Sequence, residues 1–574
     1  MDEDLRERVE EAAEIDALYN ALKHDSDAQV GAIMGPLMGE NPDFREHGDE
    51  IPDVLGPVVG RVNGMDADEK RERLGDLAPD RLAELDADDE EDDQPLPDLP
   101  NVADYDEVRM RLAPNPNGPW HLGSARMPAV IGTYKEMYDG WMCCRFDDTD
   151  PVTKRPDLDA YDEILDAIDY LGFEPDEVIR ASDRVEIYYD HARELIDLGG
   201  AYTCSCPGEE FSDLKNSGEP CPHRDKDSET VHKEFEAMVD GEYDAGEMVL
   251  RVRTDIEHKN PALRDWVAFR MVDRAHPREE AAEYRCWPML DFQSGIDDHL
   301  TGITHIIRGI DLQDSAKRQG FVYDYFGWDY PEVLHWGHVQ IDAYDVAMST
   351  STIKEKIDAG ELTGWDDPRA PTIASLRRRG IRGEAIVDAM TELGTSTSNV
   401  DLAMSSIYAN NRELIDEETD RAFMIRDGVE LPLSGGPDAG EPPYHPNHEE
   451  RGRRTVPAGD AVLLEDGDVP GAGERVWLKG FGCVERTDDG LEYTGADLDV
   501  VREGDVPVVH WVSADENRSV RMRTMDGDVT GHAEPGVADY GIDDLLQFER
   551  VGFVRIDDLD ESGDPAVLAY FTHS

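Results

Sequence analysis

Arg111-Leu-Ala-Pro-Asn-Pro-Asn-Gly-Pro-Trp-His121-Leu-Gly123-Ser124 joins a rigid Pro/Asn/Gly loop to a His-Leu-Gly-Ser tetrapeptide. The tetrapeptide opens an amphipathic segment, Ala125 to Tyr138, which Gly140 closes. The pattern predicts a strand, a tight loop and a helix N-terminus, where unpaired N–H groups and the positive end of the helix dipole favour a phosphate. Gly123 lets a planar ligand such as adenine approach the backbone. The His121 imidazole can donate to a phosphoryl oxygen as charge builds there, and the Ser124 hydroxyl can do so as a neutral donor.

Around this stretch the chain of 574 residues has room for three to five domains. With 130 Asp+Glu against 56 Lys+Arg, of which 12 are Lys, its formal charge is −74. Such a surface repels itself at ordinary ionic strength and becomes tolerable in molar salt, where the Debye length is about 3 Å. The acidity is therefore read as adaptation to a salt-filled cytoplasm. Disorder is excluded by 39% hydrophobic residues and by aromatics spread along the chain. The N-terminus has no signal-peptide character and no stretch of about 20 apolar residues exists, so the expectation is a cytoplasmic protein with neither membrane nor DNA as a partner. Seven Cys, four of them between 204 and 286, do not form a disulfide scaffold.

Residues 1–98 read as a small helical domain plus an acidic, Pro-punctuated linker over 86–100. Residues 104–200 and 288–360 read as α/β, with strands at Trp141–Phe146, 287–292 and 303–308. The Cys- and Gly-rich stretch 201–287 reads as an insertion, 361–424 as helical, and 425–574 as a β-barrel domain. Cys204, Cys206, Cys221 and His223 offer three thiolates and an imidazole, a donor set for a structural tetrahedral Zn2+. Cys143 and Cys144 lie in a strand and read as core. Arg377–Arg379 and Arg518, Arg521 and Arg523 are candidate contacts to nucleic-acid phosphates or bases.

Arg111–Ser124, Arg145-Phe-Asp-Asp-Thr-Asp-Pro151, Gly302-Ile-Thr-His-Ile-Ile-Arg-Gly-Ile-Asp311 and Met348-Ser-Thr-Ser351 occur in that order. Together they resemble the signatures of class I aminoacyl-tRNA synthetases of the glutamyl/glutaminyl group, in their archaeal form and from a halophile. The resemblance implies a Rossmann-like catalytic domain, an inserted domain that grips the tRNA acceptor end and carries a zinc element, a helical domain along the stem, and anticodon-binding barrels. It implies ATP with Mg2+, L-glutamate and tRNA(Glu) as substrates, and tRNA(Gln) as a second acceptor in archaeal members. His121, Gly123 and Ser124 match the first signature, whose last residue is normally His. The second, normally Lys-Met-Ser-Lys-Ser, is Ala347-Met-Ser-Thr-Ser351 here, with Lys delayed to Lys354 and Lys356, so Ser349, Thr350, Ser351 and their N–H groups become the cradle of the triphosphate, and Lys354 or an Mg2+ supplies the charge. In the amino-acid pocket, Arg111 and Arg308 match the carboxylate-pairing positions, Asp147 matches the residue that receives the α-ammonium, and Asn115 lies beside it. Glutaminyl relatives carry a small uncharged residue where Arg308 stands, which favours glutamate, and the aromatic many relatives carry at position 290 is Leu290 here. Two rival readings remain, a glutaminyl enzyme of the same build and a catalytically silent tRNA-binding paralogue.

Overall fold

The computed structural model describes residues 3–23, 28–40, 44, 51–79, 81–82, 94–341, 343–344, 348–502, 506–560 and 563–574. Most of the predicted acidic linker (86–93), and Ala347 of the second signature, lie outside the described residues. Two compact units, 1–97 and 98–574, divide the chain.

In the first unit, α1 (Glu3–Lys23), α2 (Val30–Glu40), α3 (Ile51–Asn63) and α4 (Ala67–Leu77) build a helical body. Val9, Ala13 and Ala17, four residues apart, place small side chains on one face of α1, where they join a core with Leu55, Val58, Val62 and Leu74. A capping box between Asp66 and Glu69 opens α4, satisfying two otherwise unpaired N–H groups.

The second unit is organised by parallel strands. Strands β1 (Arg109–Leu112), β2 (Trp141–Phe146) and β3 (Glu177–Arg180) pair in that order, with α5 (Arg126–Met137) and α6 (Ala160–Tyr170) as crossovers. Met110, Leu112, Met142, Cys143, Cys144, Phe146 and Ile179 of these strands are buried, as parallel strands covered by helices require. Farther along the chain, β8 (His305–Gly309) and β9 (Glu332–Trp336) form a second parallel pair. The segment leading into β8 lies against β1: Thr304 N–H donates to the Arg109 carbonyl at 2.9 Å, and Arg109 N–H donates to Thr304 Oγ1 at 2.9 Å. The layer thus reads β3-β2-β1-β8-β9, and its winding reverses between β1 and β8. In open α/β sheets that reversal is where a crevice forms beyond the strands' C-terminal ends.

Between the halves, α7 (Val185–Asp197) leads into an antiparallel sheet of β4 (Ala201–Cys204), β5 (Val249–Val252), β6 (Val267–Met271) and β7 (Cys286–Pro288), with α8 (Gly208–Ser217) and α9 (Ser228–Val239). Tyr189, Phe235, Phe269 and Trp287 fill its core. The predicted strand over 287–292 is half right. The strand ends at Pro288, Met289 N–H gives a last bond to the Ala268 carbonyl at 2.7 Å, and α10 (Leu290–Leu300) starts at once, burying Phe292 and Ile296 four residues apart. Helix α11 (Gln313–Phe326) packs on α10, and α12 (Thr350–Asp358) follows the second signature.

Helices Ile373–Arg378, Gly383–Glu392 and Met404–Ile415 precede the β region, which starts at Asp420 rather than 425. It contains two seven-stranded sheets, not one barrel. In each, the edge strands are chain neighbours: Asp420–Ala422 and Met424–Ile425 in one, Val508–Val509 and Val512–Ser513 in the other. A sheet whose two edges belong to one kinked segment curls until it nearly closes, which removes most exposed edge. The first of these sheets also uses the strands between 518 and 573, so the chain enters it, leaves to build the other, and returns.

The expectation that Arg377–Arg379 contact nucleic acid is corrected in large part. Arg379 is buried, donating to the carbonyls of Phe571 (3.1 Å) and Thr572 (2.6 Å), and Arg378 holds Asp557 with two N–H groups (3.1 and 3.0 Å). These two arginines clamp the helical region to the barrel, while Arg377 pairs with Asp166 at the surface. Arg523 donates to the Tyr570 hydroxyl at 3.2 Å, Arg518 donates to the Asn517 carbonyl at 3.2 Å, and Arg521 lies 3.9 Å from Asp528.

Self-repulsion from a charge of −74 is long-ranged and falls with salt, whereas burial of the apolar cores does not. The thermal unfolding midpoint is therefore expected to rise steadily between 0.1 and 3 M KCl when followed by circular dichroism. A midpoint independent of KCl contradicts this account.

Candidate active site

Beyond the C-terminal ends of β1, β2 and β8 lies a cleft of about 670 Å3. Arg111, Asn115, His121, Gly123, Ser124, Asp147, Arg308 and Thr350 all line it. Ser349, Ser351 and Lys354 do not: the two hydroxyls sit 3.0 Å apart at the start of α12, and the half-exposed Lys354 ammonium is 3.0 Å from Asp157.

The floor is a chain of buried ions. Arg111 at the end of β1 donates through Nε to Asp298 Oδ1 at 3.0 Å, and Arg145 of β2 donates to the same oxygen at 2.6 Å. Arg145 also donates through Nε to Asp147 Oδ1 at 2.9 Å, and Gln293 Nε2 reaches that oxygen at 2.9 Å. Burial alone pushes the Asp298 carboxyl up, but Arg111 and Arg145 beside it outweigh that and hold it below the usual carboxylate range. The chain ties β1, β2 and α10 together, and such a set is costly to break because removing one member strands a buried charge. Asn115 supports it from the loop, donating through Nδ2 to the Asp147 carbonyl at 2.7 Å, while Asp147 N–H donates to Pro114.

Arg308 differs. It is 7% exposed, and its Nη2 donates only to uncharged groups, Gln319 Oε1 at 3.1 Å and the Tyr330 hydroxyl at 2.8 Å. Gln319 is itself fixed by donating to Ser294 Oγ at 2.6 Å, and Arg308 Nε is buried with no partner. Among the described residues Arg308 forms no ion pair. Arg111 and Arg145 are paired with Asp298 and Asp147, whereas no carboxylate pairs with Arg308.

At the other end, a single 3-10 turn, Leu122–Ala125, leads into α5, and its Gly123 and Ser124 line the cleft. Burial pushes the His121 imidazole below its ordinary range, which keeps it neutral at pH 7. Ser124 Oγ lies 3.4 Å from both ring nitrogens and is therefore aligned with neither, leaving the ring free to donate. A Cβ on Gly123 would sit 3.3 Å from the His121 ring, so glycine there lets the imidazole lie against the backbone. Gly118, with φ +154, lets Thr350 approach: a Cβ there would come within 2.5 Å of Thr350 Cγ2.

A second trough of about 450 Å3, lined by Phe211, Lys215, Arg251, Arg264, Trp266 and Arg318, shares Met289, Leu290, Asp291 and Ser315 with the cleft. Leu290 is 40% exposed at this junction. In the inserted sheet, Cys204 Sγ and Cys221 Sγ are 3.7 Å apart, Cys206 Sγ lies 3.4 Å from His223 Nδ1, and all four donor atoms fall within 4.8 Å of one another. Tetrahedral zinc with Zn–S near 2.3 Å separates two sulfurs by about 3.8 Å, so the donor set fits that ion.

The sequence reading did not place Arg145, Asp298, Gln293, Gln319 and Tyr330 in the site. Arg145 had a signal, a cation inside Trp141-Met-Cys-Cys-Arg-Phe146 that burial obliges to find a partner. The others had none, because they come from α10, α11 and the approach to β9, about 150 or more residues downstream.

Fold and cleft together define a Rossmann-like α/β protein with a charged ligand site at its switch point. Residues 107–417 match the family described as tRNA synthetases class I (E and Q), catalytic domain, while 419–499 and 508–557 match two anti-codon binding domain families of the same group. The chain belongs to the class I tRNA synthetases of the E and Q group. It is 71% identical to a glutamate–tRNA ligase of Haloarcula marismortui and 72% identical to one of Natronomonas pharaonis, covering 100% of each chain. A glutamate–tRNA ligase of Methanosarcina acetivorans is 43% identical, with 97% of both chains covered. Among the described residues no helix is long and apolar enough to cross a membrane.

Because Gly118 combines a backbone that L side chains avoid with close contact to Thr350, Gly118→Ala is expected to cost about 1–3 kcal/mol of stability. Thr350→Ser in the same chain is expected to restore part of the lost Tm, by removing the methyl group that the new Cβ meets.

Proposed function

We propose that this chain joins L-glutamate to tRNA(Glu) in two steps, through a glutamyl-adenylate made from ATP with Mg2+. The observation that carries the choice of amino acid is Arg308, a buried guanidinium whose protein partners are all neutral. A glutamate side-chain carboxylate supplies the missing anion, and glutamine does not.

Arg111 then presents its remaining N–H groups to a substrate carboxylate, Asp147 accepts from the α-ammonium, and Asn115 holds the Asp147 loop. The α-carboxylate attacks the α-phosphorus of ATP and pyrophosphate leaves. The chain's part is alignment and charge stabilisation rather than covalent chemistry. Neutral His121 donates to a phosphoryl oxygen as its charge grows, Ser124 and the N–H groups opening α5 add further donors, and Gly123 gives the adenine its place against the backbone. Thr350, with the N–H groups opening α12 and the adjacent Ser349 and Ser351, faces the triphosphate. The trough lined by Lys215, Arg251, Arg264 and Arg318 leads the 3′-terminal adenosine of the tRNA to the adenylate, its cations and Phe211 and Trp266 suiting phosphates and unpaired bases. The barrels read the anticodon, and tRNA(Gln) is a second acceptor.

Cys204, Cys206, Cys221 and His223 hold a structural Zn2+ that fixes the turns beside this trough. The ion's contribution is to folding: it cross-links a loop of Pro, Gly and charged residues that has little core of its own.

Charging assays in molar KCl with purified tRNA(Glu) and tRNA(Gln) test the reading directly. Glutamate is expected to be transferred to both, and a preference for glutamine or an absence of ATP–pyrophosphate exchange even with tRNA overturns it. Arg308→Gln removes a charge-assisted pair of about 3 kcal/mol, so kcat/KM for glutamate should fall about 100-fold with KM for ATP little changed. Elemental analysis should find one zinc per chain, and Cys206→Ser should release it, lower Tm and depress charging.

A further inference from the structure

Even with Mg2+ bound, a triphosphate in the cleft keeps negative charge that a protein cation can offset, and the loop that precedes α12 has none to give. Between Arg318 and Lys354 the sequence contains neither Lys nor Arg, so no residue of that loop, described or not, can supply one. Lys354 itself is outside the cleft wall, held by Asp157 at 3.0 Å.

Six cationic residues do line the cleft: Arg111, Arg126, Arg145, Lys154, Arg270 and Arg308. Arg111, Arg145 and Arg308 belong to the amino-acid end. Arg126 is spent on the carbonyls of Gly337 and Gly394, each at 2.8 Å, and Arg270 on Asp150 at 2.8 Å. Lys154 alone, among the described residues, lines the cleft with no hydrogen-bond or ion-pair partner.

Its loop is nevertheless held on both sides. Asp150 Oδ1 accepts from the N–H groups of Val152 (3.1 Å) and Thr153 (3.0 Å) and from Arg270. Arg155 donates to the carbonyls of Pro151 (3.2 Å) and Ala275 (2.8 Å). Asp157 N–H donates to Pro116 at 2.7 Å, and its carboxylate takes the Lys354 ammonium. A free ammonium thus lines the cleft from a pinned loop, tied to the first-signature loop on one side and to α12 on the other.

We propose that Lys154 is the residue that neutralises the β- and γ-phosphates of ATP during adenylate formation, with Lys354 acting as a positioning residue for its loop. This rests on the adenylate chemistry proposed above. The new bond joins a glutamate α-carboxylate oxygen to the α-phosphorus; the bond from that phosphorus to the β-bridging oxygen breaks, and pyrophosphate leaves with the electron pair. Lys154 neither gives nor takes a proton. It offsets charge on the leaving group, and so acts more strongly in the transition state than on bound ATP.

The test is ATP–pyrophosphate exchange by the full chain in molar KCl with glutamate and tRNA. Lys154→Met is expected to lower kcat/KM for ATP about 100-fold with the glutamate KM within about twofold of wild type, and Lys154→Arg to recover most of the loss. Lys354→Met, which breaks an exposed pair, should cost no more than about fivefold. Since Lys154 is exposed, its variants should unfold at the wild-type temperature, so a loss of exchange reports on the site. Unchanged ATP parameters in Lys154→Met, a loss shared equally by the glutamate KM, or a greater loss in Lys354→Met overturns the assignment. No exchange by the wild-type chain overturns the adenylate reading, and this one with it.

Discussion

Two arginines and two aspartates buried in a row, Arg111–Asp298–Arg145–Asp147, are the constraint on which the rest of the second unit depends. Their carboxylates and guanidinium groups lie at 9% exposure or less, where an unpaired charge costs several kcal/mol. Only one mutual placement of β1, β2 and α10 satisfies all four. That placement brings strand ends and the N-terminus of α5 around one cleft. It also leaves the adjacent Arg308 as a buried charge awaiting an anion. The same electrostatics thus shape floor and pocket: the floor is closed by paired charges, and beside it Arg308 has no ion-pair partner among the described residues.

The surface follows an opposite rule. With 130 acids and few lysines, the exterior is built to hold water and ions in strong salt, and its charge says nothing about the ligands inside. Cations are kept for places where a fixed partner or substrate exists. Arg378 and Arg379 lock the helical region to a barrel, Arg126 holds the carbonyls of Gly337 and Gly394, and Arg251 lies 3.3 Å over the Phe211 ring. A basic cluster in such a chain is therefore weak grounds for expecting a nucleic-acid surface. The Arg377–Arg379 run shows this, since two of its three members are structural.

Much of the cleft was legible before the structure, for reasons that differ by residue. His121, Gly123 and Ser124 stand at a loop-to-helix junction, a local feature whose chemistry follows from the unpaired N–H groups of any helix start. Arg308 could be singled out because an arginine between Ile306-Ile307 and Gly309-Ile310 must be buried and must find a counter-charge. Lys354 misled, because its place one turn into α12 says nothing about which way the side chain turns. Asp157, nearly 200 residues earlier, captures it. The stretch 287–292 misled for a local reason, since short apolar runs fit strand and helix alike.

Sequence alone determined the alternation of apolar strands and amphipathic helices, the phosphate-favouring turn, the Cys/Cys/Cys/His donor set and the salt-dependent surface. Each is either a short-range pattern or a sum over composition, and neither needs to know what lies opposite. Tertiary structure decided the rest: that Asp298 balances Arg111 and Arg145, that Arg308 donates only to neutral groups, that the β region is two nearly closed sheets, one interrupting the other, and that Lys154 rather than Lys354 lines the cleft. These are pairings between residues far apart in the chain, and a charge reveals its role only when the groups that do or do not neutralise it have been brought into place.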